Sequence, residues 1–597
     1  MTSRDRENQF IFVGGPLLRN RGGPIRSRIL RRARRERVDQ QRSAAAAEIE
    51  SLLREATTNP PPPPPPPSAV CTCRVSDLLE SAEPGSGLGY RQLMPKEPAD
   101  PGTVGGGHFC STCGRYKMTQ DQRASLDTAS VIPGLGTGNA DPVIRIDEST
   151  SEFNVQEVLH FAATEIWAHF RPLDYSAACY RAWTAPYDDK VMLYAILWST
   201  TYHQDVLRIT YGAPDFQTGS KSQFRLKGLA LQTLREAIST YTGTTPIDSI
   251  IMCVLFLAVN DSVSPRLYRD PSPFTPVFTG LHALDIYGSR DYHALHWTVV
   301  HDLIERFGGI LSLRTFALSW LLSVADIMRS AHTIQKPAYP PMGVNGEIMN
   351  LDPPLALFPR YRDSFATNFD KSAGKRPGSG FDELLLSLKP PVRQEIVTAF
   401  AHVGELSHIL QYFSEESCSP KALDLLGDSR DFVHNRLFSL PDENDPIEQI
   451  LQLRDESADR ISLSREIYLS CRHAAILYAI HVTYPIPRSA IVRGPLLQSL
   501  CPRLQLLADQ GITGPLLLWC TSVVVIAMDL KADSPNRMMI FFWKLCRDLR
   551  ITDLETLLRL LRSFAWMDVA IEHHYRGMWR DLDTMRQADL SDAPIVE

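Results

Sequence analysis

Across its 597 residues the sequence has almost no alternating apolar and polar pattern, which excludes a sheet-based architecture for its bulk. It has no apolar run long enough for a bilayer. The longest, Pro515 to Met528, falls short of the roughly 18 residues a membrane span requires, and predicts a buried core helix instead. HExxH is absent. The stretch GLGTGNA from Gly134 follows no apolar strand, and EPGSGLG lacks the strand-turn-helix setting of a nucleophile elbow. With the marks of metalloprotease, phosphate-loop and esterase chemistry missing, the chain is expected not to be an enzyme. The first residues are polar and lead into no apolar leader, which predicts a protein that stays inside the cell. Its 11 cysteines are scattered, so thiols or metal ligands are expected rather than a disulfide framework.

What is present is unevenly distributed. Residues 19–42, RNRGGPIRSRILRRARRERVDQQR, hold ten arginines, and Met1–Arg42 carries a net +8, leaving −14 for the rest of a chain whose total is −6. A compact cationic head on an anionic body suits a polyanion-binding arm, an import signal, or an arm folded onto its own acidic surface. From Pro24 the segment runs without proline or glycine to Ala56, and Arg28, Arg31, Arg32 and Arg35 share one face at helical spacing. This predicts a basic helical arm over residues 1–59.

The candidate residues for nuclear import or DNA contact are Arg26, Arg28, Arg31, Arg32, Arg34, Arg35 and Arg37. Guanidinium forks bind phosphate oxygens in a salt-sensitive, sequence-blind way, and an arginine cluster also suffices for import. Import ranks first and DNA contact second. Base-specific reading would need a rigid element entering a groove, and the segment offers only arginines, Gln40 and Gln41.

Residues 60–150 open with the unbroken run Pro60 to Pro67 and continue rich in Gly, Ser, Pro and Asp, which predicts a disordered linker. It contains Cys71, Cys73, Cys110 and Cys113, with His108 close by. Four cysteines can close one tetrahedral zinc site, whereas CxC chelates less comfortably than CxxC and reduced thiols need no metal. No cofactor is therefore assigned, with one structural zinc as the alternative.

Residues 151–582 carry long apolar segments at helical spacing, from NVQEVLHFAATEIWAHF to TDLETLLRLLRSFAWMDVAIEHHYRGMWRDL. They predict an all-α, multi-helix bundle, with a Pro/Gly-rich insertion around 333–381 between an earlier and a later helical group. An acidic tail, 583–597, follows. Trp167, Trp198, Trp320, Trp519, Trp543 and Trp566 lie in apolar helices and are expected in the core. Bundles of this kind place ligand pockets between facing helices, although a well-filled core is the plainer expectation.

Several segments resemble, in order, the helical regulatory region of fungal-specific transcription factors, and in particular a subgroup often lacking a full zinc cluster and sometimes labelled tachykinin-family proteins. FIFVGGPLLRNRGGPIRSRILRRARRER is similar to that group's aromatic start and arginine-rich stretch, and FNVQEVLHFAATEIWAHFRPLD to its first helix and aromatic-Pro-Leu corner. HWTVVHDLIERFGGILSL resembles its His to Gly-Gly segment, with Val299 and Val300 replacing the usual Gly-Leu. FVHNRLFSLP and EIYLSCRHAAILYAIHVTYPIP resemble the helices before its Pro-x-Pro turn. GPLLLWCTSVVVIAMDLKADSPNRMMIFFWKLCRDLRITDLETLLRLLRSFAWMD resembles its terminal block. A binuclear cluster needs six cysteines in two CxxC-led triplets, which this sequence lacks. The resemblance implies a nuclear transcription regulator, controlling a metabolic gene cluster, whose partners are DNA, an import receptor, transcription co-factors and a second copy in a homodimer, with no membrane. The alternative is an adaptor that binds no DNA, or an effector-sensing helical protein acting through partners.

Overall fold

The computed structural model describes residues 107–109, 116–118 and 153–580, the last span with breaks at 172–174, 185–188, 212–220, 242–246, 261–267, 359–375, 416–417, 454–455, 529–536, 573–575 and 578. The expected basic arm, most of the linker and the acidic tail lie outside the described residues.

Within the span read as linker, β1 (Gly107–Phe109) pairs antiparallel with β2 (Tyr116–Met118), Phe109 opposite Tyr116. The linker reading did not anticipate this hairpin. Aromatic residues favour strands, but two three-residue strands are too short to leave a period-2 signal.

The body is helical, as its periodicity predicts. It opens with α1 (Val155–Phe161), a π-helical turn (Ala162–Trp167) and α2 (Ala168–Phe170). There follow α3 (Tyr175–Thr184), α4 (Lys190–Tyr211), α5 (Lys221–Ser239), α6 (Asp248–Asn260), the short α7 (Leu284–Tyr287), α8 (Ala294–Arg306) and α9 (Leu318–Thr333). After the short α10 (Pro354–Leu357) and α11 (Glu383–Leu386) come α12 (Gln394–Glu415), α13 (Pro420–Phe438), α14 (Ala458–His481), α15 (Ala490–Asp509), α16 (Pro515–Ala527), α17 (Arg537–Asp548) and α18 (Leu554–Leu561). Local signals set several starts. Ser419 accepts the Ala422 N–H at 3.2 Å ahead of Pro420, and Asp553 accepts the Thr556 N–H at 2.8 Å.

In the earlier group α4 packs on α5 and α6, and α6 on α8; in the later group α12 packs on α13, and α14 on α15 and α16. α16 is buried on every face from Leu516 to Ala527, as expected of the longest apolar run. The insertion separates the two groups in sequence only. Residues of both belong to one buried apolar core, joined there by Tyr339, Met342, Phe358 and Phe381 from the insertion itself.

The segment from Thr552 to Leu582 reads as one helix but breaks after Leu561. There the chain turns so that Phe564, Ala565, Trp566 and Met567 are buried, and its carbonyls find tertiary donors. Gly380 N–H reaches Ser563 O at 2.8 Å, and the Trp519 indole N–H reaches Ala565 O at 2.8 Å. Five of the six tryptophans expected in the core are buried there. Trp543 is half-buried instead, capped by the Arg547 guanidinium 4.8 Å from its ring centre.

Candidate functional site

A partly open, mostly apolar cavity of about 60 Å³ lies between the π-helical turn, α3, α4, α6 and α9. Trp167 and Trp183 meet edge to face in its wall, ring centres 5.2 Å apart, and Met328 lines it from α9. The π turn contributes Ile166 and Trp167. Such a turn inserts an extra residue into a helix, shifting the side chains after it, and recurs at functional sites. Ala162 and Ala163, ahead of Trp167 in this turn, are buried in the core.

The polar edge of this cavity is under-satisfied. Asn260 donates through Nδ2 to Phe256 O at 3.1 Å, leaving its buried Oδ1 without a partner. The Tyr292 hydroxyl is likewise buried and unpartnered. Tyr287, also in the wall, shares a 3.3 Å hydrogen bond with Nδ1 of His203.

Behind these residues stands Arg290, only 3% exposed, over the Tyr202 ring at 5.3 Å, with none of its guanidinium nitrogens hydrogen-bonded. A charge left this deep without an acceptor is disfavoured by on the order of several kcal/mol. Its field reaches the surrounding groups. Burial, reinforced by Arg290, holds His203 neutral, well below the usual imidazole range. Burial pushes Tyr287 up to about 12, with Arg290 acting the other way.

A second polar cluster fastens the two helical groups. On α13, Asp424, Asp428, Asp431 and Asn435 recur at helical spacing and point one face toward the earlier group. Arg171 grips Asp428 with both terminal nitrogens, at 2.6 and 3.0 Å, reaches Asp424 at 2.8 Å, and lies over the Trp320 ring at 5.4 Å. Burial opposes the Arg171 charge, but Asp428 and Asp424 outweigh it and raise its pKa. His282 Nδ1 meets Asp431 Oδ2 at 2.6 Å, Arg430 donates to Leu281 O at 2.7 Å, and Asn435 donates to Tyr339 O at 3.0 Å. Burial would raise Asp431, yet His282, Arg430 and His434 hold it below the usual carboxylate range.

The His282–Asp431 pair has the spacing of a catalytic base and its orienting acid. The second ring nitrogen, however, sits against Gly427, where an added Cβ would lie 2.4 Å from it. With their side chains only 2% and 4% exposed, neither group is open to a substrate, so the pair works as a clasp. His282 and Ala283 both adopt left-handed backbone, φ 49° and 53°, which the clasp holds in place.

No family model, curated protein or solved structure matches this chain. The resemblance described from ordered segments therefore rests on the sequence alone.

Among the residues singled out from sequence, Arg26, Arg28, Arg31, Arg32, Arg34, Arg35 and Arg37 lie outside the described residues, as do Cys71, Cys73, Cys110 and Cys113. The hairpin strands flank Cys110 and Cys113 in sequence. Among the described residues no group of three or more histidines, cysteines or carboxylates is arranged to hold a metal ion, and no helix is long and apolar enough to cross a membrane. Sequence reasoning missed Asn260, Arg290, Tyr292 and the α13 carboxylates. The only available signal was the recurrence of Asp424, Asp428 and Asp431 on one helical face, a pattern that ordinarily marks a solvated surface.

Proposed function

We propose that the chain is a nuclear transcription regulator of fungal type, controlling a metabolic gene cluster. The arginine-rich arm carries it into the nucleus and holds DNA phosphates there; the helical body provides dimerisation, partner binding or effector sensing. The observation that carries this reading is the pairing of a +8 head with helical segments in the order of the resemblance. The all-α class of the body supports it.

Charge reversal of Arg31, Arg32, Arg34 and Arg35 in a fluorescently tagged protein is expected to move it from nucleus to cytoplasm. An unchanged distribution would reject the arm as import signal. A second reading is favoured by the missing six-cysteine cluster: an adaptor that reaches DNA through another factor. Genome-wide occupancy separates the two. Sites retained by the purified protein on naked DNA support the direct regulator, and sites that depend on another factor support the adaptor.

A further inference from the structure

We infer that the cavity bounded by the π-helical turn, α4, α6 and α9 binds a small, largely apolar molecule carrying one hydroxyl group, a phenol or a small alcohol. The inference stands on the cavity and holds whatever the arm does.

Four observations select this class. The walls are apolar and include the paired rings of Trp167 and Trp183, which favour a flat or compact hydrocarbon body. Asn260 Oδ1, its amide oriented by the bond from Nδ2 to Phe256 O, needs a donor, which an ether, a ketone or a carboxylate does not supply. Hydroxyl, amide or amine N–H, and ammonium groups do supply one. Of these the hydroxyl also offers the unpartnered Tyr292 hydroxyl an acceptor oxygen, and unlike an ammonium it brings no charge that burial among apolar walls would penalise.

Size sets the last limit. At about 60 Å³ the cavity exceeds what a single water needs, but is smaller than the roughly 150 Å³ that admits benzene, so a ring enters only as a neighbour yields. Met328, unbranched and in the wall, is the side chain most able to do so. Ordered water would satisfy Asn260 and Tyr292 and leave the apolar remainder empty. The test discriminates these occupants.

The probe is phenol, with toluene as its counterpart of similar shape lacking the hydroxyl, added to the full chain and followed by saturation-transfer NMR and thermal unfolding. Phenol is expected to saturate one site and raise the melting temperature, binding about tenfold more tightly than toluene, the discrimination one buried hydrogen bond provides. Asn260→Leu should abolish that preference while toluene still binds. Ala325→Leu, which fills the cavity from α9, should abolish binding of both, with Ala325→Val as the smaller filling change if the larger one impairs folding. Absence of phenol binding, as expected of a cavity holding water alone, would overturn the proposal. So would equal affinity for toluene and phenol, or phenol binding unaltered by a folded Ala325 variant.

Discussion

In the helices before the 333–381 insertion, Asn260, Arg290 and Tyr292 keep buried polar atoms unpartnered beside a void. At the end of the insertion and in α12, Gly378, Gly380 and Gly404 approach Ala401 and Phe564 so closely that one methyl group would collide. The contrast extends to the backbone. Of the six non-glycine residues with left-handed φ among the described residues, Phe278, His282, Ala283, Ala317 and Ile334 lie at or before Ile334, and Arg550 lies in the later group. Phe381, Phe400, Trp519 and Phe564 form a dense aromatic stack there, with Phe381 ring centres 5.4 Å from Phe400 and 5.0 Å from Trp519. One continuous core thus contains a closed frame and an adaptable region. Buried polar atoms without a partner occur in both groups, those of Arg430, Arg472 and Tyr484 in the later one, so what sets the earlier group apart is its apolar cavity and its left-handed backbone.

The largest expected effect is of acid on the whole body. Burial, ahead of any neighbouring charge, holds His301, His402, His408 and His473 down to about 4, and His434 and His481 down to about 3. In the unfolded chain these rings titrate near 6.5, so below that pH the unfolded state takes up protons the folded state refuses. Their stabilising contribution is complete above about 6.5 and is lost as pH falls toward 4. Asp205 and Asp326 act oppositely: burial raises both to about 6, so stability from them is present below the unfolded carboxylate range and is lost as pH rises through 6. His160, His203 and His332 are lowered in the same way and Asp285, Glu405, Asp424 and Asp568 raised, so nine histidines stand against six carboxylates among the described residues. The urea midpoint at pH 5 should therefore lie clearly below that at pH 7, and an equal or higher midpoint would contradict the assignment of these rings as buried and neutral.

Next in size is the clasp. Arg171→Leu leaves Asp424 and Asp428 facing each other without their cation, and should cost about 3–5 kcal/mol. Adding Asp428→Leu should restore part of that loss, because the isolated buried charge is the main penalty. Denaturation of the two variants checks this. A single substitution within about 1 kcal/mol of the parent would show that α13 does not join the groups in this way.

Much of this architecture was legible beforehand. Apolar spacing located α4, α6, α9, α12 and α16, because a helix that buries a stripe or its whole circumference must repeat apolar residues at that period. Composition and local periodicity miss what tertiary partners decide. Nothing near Leu561 ends a helix; it ends because Gly380 and Trp519 donate to the carbonyls beyond it. The aspartates of α13 look like a solvated face until Arg171 and His282, far away in sequence, are placed opposite them. The π turn leaves the apolar pattern of its helix nearly intact, and the cavity is a property of several helices together, so neither is written in any one segment. Arg290 carried no local sign of being buried.

The contrast between an adaptable and a closed region is tested most directly by adding volume to each and measuring urea unfolding at pH 7. Gly404→Ala should lower stability by about 1–3 kcal/mol, because its methyl group would lie 2.6 Å from the Phe564 carbonyl oxygen and 2.7 Å from Gly378 Cα. Ala325→Leu, three carbons larger but directed at the cavity, should leave the midpoint unchanged or raise it. Equal losses from both substitutions would contradict the account, since they would mean that the earlier group has no more room than the later one.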